Sequence, residues 1–156
     1  MVWSWFCGDR IGPILTLDRG GIGAVKYMKI LYDGLLSMIP ELTGWPVDPD
    51  TIRVADKCSL LFMHDNAPCH KDHRVHDLLQ KHGIPVMCWP PQSPDLNPLE
   101  NVWPDFKHRF HRRFRALGTH LSMSSAAIAQ YGKIVQESWA EVHLEFLQQL
   151  IESMPK

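Results

Sequence analysis

The sequence predicts an α/β fold, and three observations carry that expectation. Two strand-length apolar runs, CSLLFMHD (58–65) and IPVMCW (84–89), each stand beside segments with helical signals, the pattern of strands buried on both faces. Apolar residues recur at helical spacing over 22–39 and again in the closing segment. At the start, the β-prone runs MVWSWFC and PILTLD flank GDRIG and read as a hairpin.

Taken in order, the hairpin begins at residue 1, with its turn placed in GDRIG. From Ile22 to Ile39 a helix presents Val25, Met28, Leu31, Leu35 and Met38, and Pro40 ends the pattern. ELTGWPVDPDTIRVADK is polar and broken by two prolines, which makes it a loop. The first buried strand follows and places Asp65 at its C-terminal end. A helix then runs from about Lys71 to His82, with Gly83 at C′, where a left-handed cap is least costly. The second strand leads into WPPQSPDLNPLENVW (89–103), too rich in proline for a helix until Pro98. There Asn97 suits the N-cap, Pro98 suits N1 and Glu100 falls at N3. The closing QESWAEVHLEFLQQLIESMP reads as one amphipathic helix with Trp139, Val142, Phe146, Leu147 and Leu150 on one face. No internal repeat or low-complexity segment interrupts the chain.

At 156 residues the chain is one domain's worth. Hydrophobic residues make up 45% and charged residues 21%, and no apolar run approaches the ~20 residues of a membrane span. The N-terminus has neither the basic region nor the long apolar stretch of a secretory signal, so a reducing compartment is expected. Cys7, Cys58, Cys69 and Cys88 form no CxxC pair and read as free thiols. The net charge of -1 is unevenly spread. No Asp or Glu occurs from Phe106 to Gln136, which carries Lys107, Arg109, Arg112, Arg113, Arg115 and Lys133. The tail reverses the sign with Glu137, Glu141, Glu145 and Glu152. Such asymmetry points toward a polyanion on one face.

Asp65 and Glu100 stand out by location, because ligand sites in open α/β sheets gather at the carboxyl ends of strands. Two carboxylates there could share a hard divalent cation such as Mg²⁺, which would relieve their mutual repulsion. The plainer readings are an Asx-type turn at Asp65-Asn66 and a capping box at Glu100, and spacing alone favours them. His64, Cys69, His70, His73 and His76 could supply a zinc site, although a solvated helix face accounts for His73 and His76 more simply. Cys69 reads as a small buried thiol. Phe106, Phe110 and Phe114 recur every four residues among the basic residues, a core stripe beneath a charged face that phosphates could contact.

HDNAPCH, followed by WPPQSPDLNPLENVW and then FK, resembles the second half of the catalytic domain of the Tc/mariner transposases, whose active site is Asp, Asp, Glu. The last two acids of that family are separated by 34 residues, and 34 residues lie between Asp65 and Glu100 here. VWSWF with GPILTLD is similar to the family's second and third strands, and LIESMP to the usual end of its domain, so the resemblance covers nearly the whole chain. It implies a ribonuclease-H-like fold with a mixed five-stranded sheet flanked by helices. Asp65 then takes the place of the second catalytic aspartate and Glu100 that of the glutamate. Both would hold Mg²⁺ or Mn²⁺ for cleavage and strand transfer at a phosphodiester. Asn66, His70, Asp95, Asn97 and Pro98 would position the site, and Lys107, Arg109, Arg112, Arg113 and Arg115 would contact DNA. The resemblance further implies transposon ends as partner and a nuclear location, and allows a homodimer.

The chain departs from the family pattern at several points. It begins at the family's second strand, so the first central strand with the first aspartate, and the upstream helix-turn-helix region, are not in the sequence. Neither Asp9 nor Asp18 is an obvious substitute. Ser4 replaces a usual Gly, and Pro104 falls within the helix of Glu100, where it should kink the axis at a cost of ~3 kcal/mol. These departures lead to the expectation of an inactive transposase copy, with a non-catalytic nucleic-acid-binding or interaction module as the alternative.

Overall fold

A computed structural model describes residues 1–8, 10–17, 20–43, 60–116 and 125–154. The chain divides into two compact units, Met1–Asp18 with Pro98–Lys156, and Arg19–Asn97.

In the first unit the expected hairpin forms. Strands β1 (Val2–Trp3) and β4 (Leu15–Thr16) pair antiparallel, as do β2 (Phe6–Cys7) and β3 (Arg10–Ile11). The register changes between the two pairs: Trp3 faces Leu15, but Phe6 faces Ile11. Residues 4 and 5 therefore oppose 12 to 14, which is a β-bulge. Pro13 sits in the bulge, where its missing N–H takes no bond from the ladder. The turn is tighter than expected, because Cys7 pairs with Arg10 and draws Arg10 and Ile11 into the strand. Gly8 takes φ +55°, the left-handed conformation such a short reversal needs. Asp9 and Asp18 lie outside the described residues.

Ser4, the departure from the usual Gly, is 3% exposed yet satisfied. Its hydroxyl donates to the Pro13 carbonyl at 2.9 Å and reaches the Gly12 carbonyl at 3.4 Å.

Three helices complete this unit: α4 (Pro98–Ala116), α5 (Ser125–Ala140) and α6 (Leu144–Glu152), numbered after three helices of the second unit. Its core is Ile14, Val102, Phe106, Val135, Trp139, Val142 and Leu147. The single closing helix expected from Gln136 is instead two. The chain turns at Val142, whose N–H donates to the Trp139 carbonyl at 3.0 Å, and α6 restarts after an extended His143. The apolar face itself is as expected, since Trp139, Val142 and Leu147 are core and Phe146 and Leu150 pack against it. A break that preserves the face leaves no mark in the periodicity.

In the second unit α1 spans Ala24–Gly34, a 3₁₀ turn follows at Leu36–Met38, and α2 spans Ile39–Thr43. Pro40 thus opens a short helix instead of ending one, as its fixed φ and missing N–H permit in a first turn. The buried stripe of α1 is Ala24, Tyr27, Ile30, Leu31 and Gly34, and Val25 is exposed. The expected face was therefore rotated, because it passed over Tyr27.

The two predicted buried strands meet at one parallel bridge, Phe62 with Val86, where Phe62 N–H donates to Pro85 O and Met87 N–H to Phe62 O, each at 2.8 Å. Leu61 is 53% exposed, so the apolar run is not covered on both faces as its composition suggested. Cys58 and the loop from Gly44 lie outside the described residues. Among the described residues the sheet structure is the hairpin and this bridge.

Helix α3 (His73–Lys81) begins at Asp72, whose carboxylate accepts from Arg74 N–H. It ends as expected at Gly83, with φ +64°. Gly83 N–H donates to Gln80 O and Ile84 N–H to Leu79 O, each at 2.9 Å. This is a Schellman cap, closed by the buried pair Leu79 and Ile84.

Candidate active site

Asp65 follows the Phe62 bridge in the second unit. Its Oδ1 accepts the Ala67 N–H at 2.9 Å, the Asx turn that the sequence suggested. The same oxygen lies 2.7 Å from His70 Nδ1, which is also 3.1 Å from the Asp65 carbonyl. Both acceptors require the proton on Nδ1, so Asp65 fixes the tautomer of His70. The carboxylate is held at one oxygen and its side chain is still 57% exposed. Asn66 ties this turn to the proline-rich loop, its Nδ2 donating to Trp89 O at 2.8 Å and to Pro90 O at 3.3 Å.

Behind the turn lie three rings. His64 and His70 stack with centroids 4.8 Å apart and planes 9° apart. Tyr27, 1% exposed, lies 4.1 Å from the His70 ring, and its hydroxyl is 3.1 Å from His64 Nδ1. Burial, helped by the neighbouring His70 and opposed by Asp65, lowers the pKa of His64 to about 4, which keeps it neutral at pH 7. The Cys69 thiol is pushed up, first by burial and further by Asp65, so it is a poor nucleophile.

Glu100 belongs to the other unit. Asn97 is extended at φ −80°, ψ 107°, as an N-cap requires, and Pro98 is buried at the first position of α4. One turn on, Glu100 is exposed at the N-terminal end of a helix dipole, while Val102 and Phe106 anchor the helix in the core. The approach is built from local turns: Ser93 Oγ donates to Pro91 O at 3.1 Å and Asn97 N–H to Pro94 O at 3.0 Å. Gln92 takes φ +55°, an uncommon conformation for a residue with a Cβ. Asp95 is exposed in the Pro94–Leu96 turn. Helix α4 continues through Pro104, which gives no N–H to the Glu100 carbonyl.

The basic residues of α4 are more nearly neutralised than their sequence implied. Arg109 pairs with Asp105 at 2.8 Å, and Arg112 with Glu141 at 3.3 Å. Arg113 reaches Glu137 at 3.0 Å and also Glu141, which holds the Glu141 carboxyl below its usual range. The acidic tail is folded onto the basic stretch. Among the described residues, Lys107 and Arg115 have no acid at ion-pair distance. Phe106, Phe110 and Phe114 form one stripe along the helix, as expected, with Phe110 stacked on Phe114 and tilted against Phe106, and Tyr131 of α5 closes on Phe110.

The histidine cluster divides. His64 and His70 stack, whereas the side chains of His73 and His76 are 83% and 70% exposed. Among the described residues no three His, Cys, Asp or Glu side chains converge as a metal site. Sequence reasoning missed Tyr27; its place at the centre of the α1 stripe, with a hydroxyl that needs a buried partner, was the available signal.

The fold and these two motifs match known proteins. Residues 50–120 match the family model of the DDE superfamily endonucleases. The catalytic domain of Mos1 mariner transposase, solved with raltegravir and Mg, superposes with a TM-score of 0.64 at 22% identity, over 99% of this chain and 69% of that one. The same domain has been solved with Mn. That likeness gives the ribonuclease-H-like fold. The chain is also similar in sequence to Tc-type transposases. It is 30% identical over 156 residues to the Tc1 transposase of Caenorhabditis elegans and 26% identical over 160 residues to the Tcb1 transposase of Caenorhabditis briggsae. In both comparisons it spans 48% of the relative's length. No helix among the described residues is long and apolar enough to cross a membrane.

Proposed function

We propose that the chain is catalytic-domain sequence of a Tc/mariner-type DNA transposase, in which Asp65 and Glu100 bind Mg²⁺ or Mn²⁺ and act on transposon-end DNA in the nucleus. The observation that carries this reading is the state of Asp65. Its backbone and one oxygen are fixed by Ala67 and His70, while most of the carboxylate remains open. A carboxylate held in this way is a suitable ligand for a hard cation. Glu100, exposed in the first turn of α4, supplies the same kind of donor. When bound, the metal supplies activation of water or a 3′-hydroxyl toward a phosphodiester.

The protein's own work is orientation. His70 and the Asx turn hold Asp65, and Asn97 and Pro98 start the helix that presents Glu100. Residues 1–156 contribute two of the three acids, so by themselves they should not cut DNA. DNA contact falls to Lys107 and Arg115 first, with Arg109, Arg112 and Arg113 available once released from their acids. The alternative, a non-catalytic nucleic-acid-binding module, would use the same face of α4 without needing Asp65.

Thermal unfolding with Mn²⁺ tests the metal reading. Midpoints should rise with Mn²⁺ in the parent and stay fixed in the Asp65→Ala, Glu100→Ala double variant, because a ligand that binds the folded state stabilises it. Equal responses in both proteins would remove the two acids from any metal site.

A further inference from the structure

We infer that Tyr27 is a positioning residue for the Asp65 carboxylate, acting through the His64 and His70 rings. The inference rests on the reading of Asp65 as a metal ligand. The connection is continuous: the Tyr27 hydroxyl meets His64 Nδ1 at 3.1 Å, His64 stacks on His70 at 4.8 Å, and His70 Nδ1 meets Asp65 Oδ1 at 2.7 Å. Tyr27 also packs directly on His70, with ring centroids 4.1 Å apart.

Each link removes a freedom that the carboxylate would otherwise have. An imidazole that is both a hydrogen-bond donor and a stacked ring has its plane fixed by the stack and its donor aimed by the bond. Exposed carboxylates sample several rotamers; Asp65, with Ala67 and His70 on one oxygen, cannot do so without breaking both contacts. The anchor of this chain lies in the core, because Tyr27 is fully buried on the α1 stripe. Hence the turn bearing Asp65 is referenced to α1, some forty positions earlier, and not only to its own backbone. Outer partners of this kind orient metal ligands, and their loss lowers metal affinity.

Tyr27→Phe tests the inference, since it keeps the ring against His70 and deletes the hydroxyl. Two readouts are taken on the whole chain: the ¹⁵N shifts of the His70 ring, which report its tautomer, and Mn²⁺ affinity by water-proton relaxation. In Tyr27→Phe the His70 Nδ1–H population should fall and the Mn²⁺ dissociation constant should rise by about tenfold, the low end for an outer-shell partner. His64→Phe keeps a stacking ring without the acceptor and should give the same two changes. Because the residues act in series, the double variant should be no worse than either single one.

An unchanged His70 tautomer in both variants overturns the inference, whatever the affinity does, since the route through His70 would be absent. Independent, additive losses overturn it as well. Parent protein that binds Mn²⁺ no better than Asp65→Ala defeats the metal reading instead, and the His70 shifts then decide whether Tyr27 positions the carboxylate.

Discussion

The indole N–H of Trp139 donates to the carbonyl of Gly12 at 2.8 Å, across 127 positions of sequence. This bond joins the bulge of the hairpin to the end of α5, the point where the closing helix breaks. It explains why the bulge sits at Gly12-Pro13. The Gly12 N–H is already used by the Trp5 carbonyl at 2.8 Å, and the bulge turns the Gly12 carbonyl out of the ladder toward Trp139.

A side chain at Gly12 should not be tolerated. A Cβ there would lie 2.3 Å from the Trp5 ring, which is itself 8% exposed and has little room to withdraw. Gly12→Ala should therefore destabilise the protein by about 2 kcal/mol, within the range for overpacking. Trp139→Phe should cost at least as much, through lost volume and a buried carbonyl left with only the longer Ser4 contact, roughly 2–4 kcal/mol. Urea unfolding of the three proteins measures both. A Gly12→Ala protein as stable as the parent would mean that the bulge is far softer than its contacts imply.

Pro104 should be a weak point that can be repaired. It is exposed within α4 and leaves the Glu100 carbonyl without its helical donor. Pro104→Ala should restore that bond and stabilise the protein by about 1–3 kcal/mol. The unfolding midpoint should rise by several degrees in a scan. A drop would show that the carbonyl of Glu100 has a better use than helix bonding.

The hairpin, the N-terminus of α4 and the Gly83 cap were legible in the sequence because each depends on local chemistry: a short reversal at Gly8, Asn97-Pro98, and a left-handed glycine. Asp65 and Glu100 stand out only through their motifs, since spacing alone favoured a turn and a capping box; the turn at Asp65 is present, whereas the Asn97 N–H that a capping box would use donates to the Pro94 carbonyl. What was not legible was long-range. The tail acids Glu137 and Glu141 are 24 to 29 positions from the arginines they meet, and only folding brings them together. Tyr27 was passed over because a 3.6-residue pattern ranks residues by hydrophobicity and takes no account of a buried hydroxyl's need for a partner. The break between α5 and α6 was hidden because both helices turn the same face to the core.

Stability should fall on mild acidification, and His64 should be one cause. Its pKa is about 4 in the fold, against 6.5 for a free side chain, with burial the largest cause. The groups around it are the Tyr27 hydroxyl, the Phe62 ring, His70 and Asp65. Between those two values the unfolded chain binds a proton that the folded chain does not, so stability is complete above about pH 6.5 and declines as pH drops toward 4. His82, lowered by burial and by Lys81, acts in the same direction. Unfolding midpoints from pH 7.5 to 4.5 should therefore slope less in His64→Phe than in the parent. Parallel slopes would assign the acid sensitivity to His82 and the carboxylates.

Releasing the basic face should strengthen DNA binding. Arg112 and Arg113 are engaged by Glu141, and Arg113 also by Glu137, so a phosphate must displace a carboxylate to reach either. Glu137→Gln with Glu141→Gln removes the competitors and keeps the side-chain volumes. Affinity for a random-sequence duplex should rise at low salt. The slope of log affinity against log salt should steepen by up to about 1.8, roughly 0.9 for each newly contacted phosphate. Arg112→Glu with Arg113→Glu should abolish that gain. Lys107→Gln with Arg115→Gln, which changes residues with no acid partner among those described, should instead weaken binding in parent and variant alike. If the two glutamines leave both affinity and slope untouched, the arginines of α4 serve the packing of α4 on α5, and DNA contact must be sought on other residues.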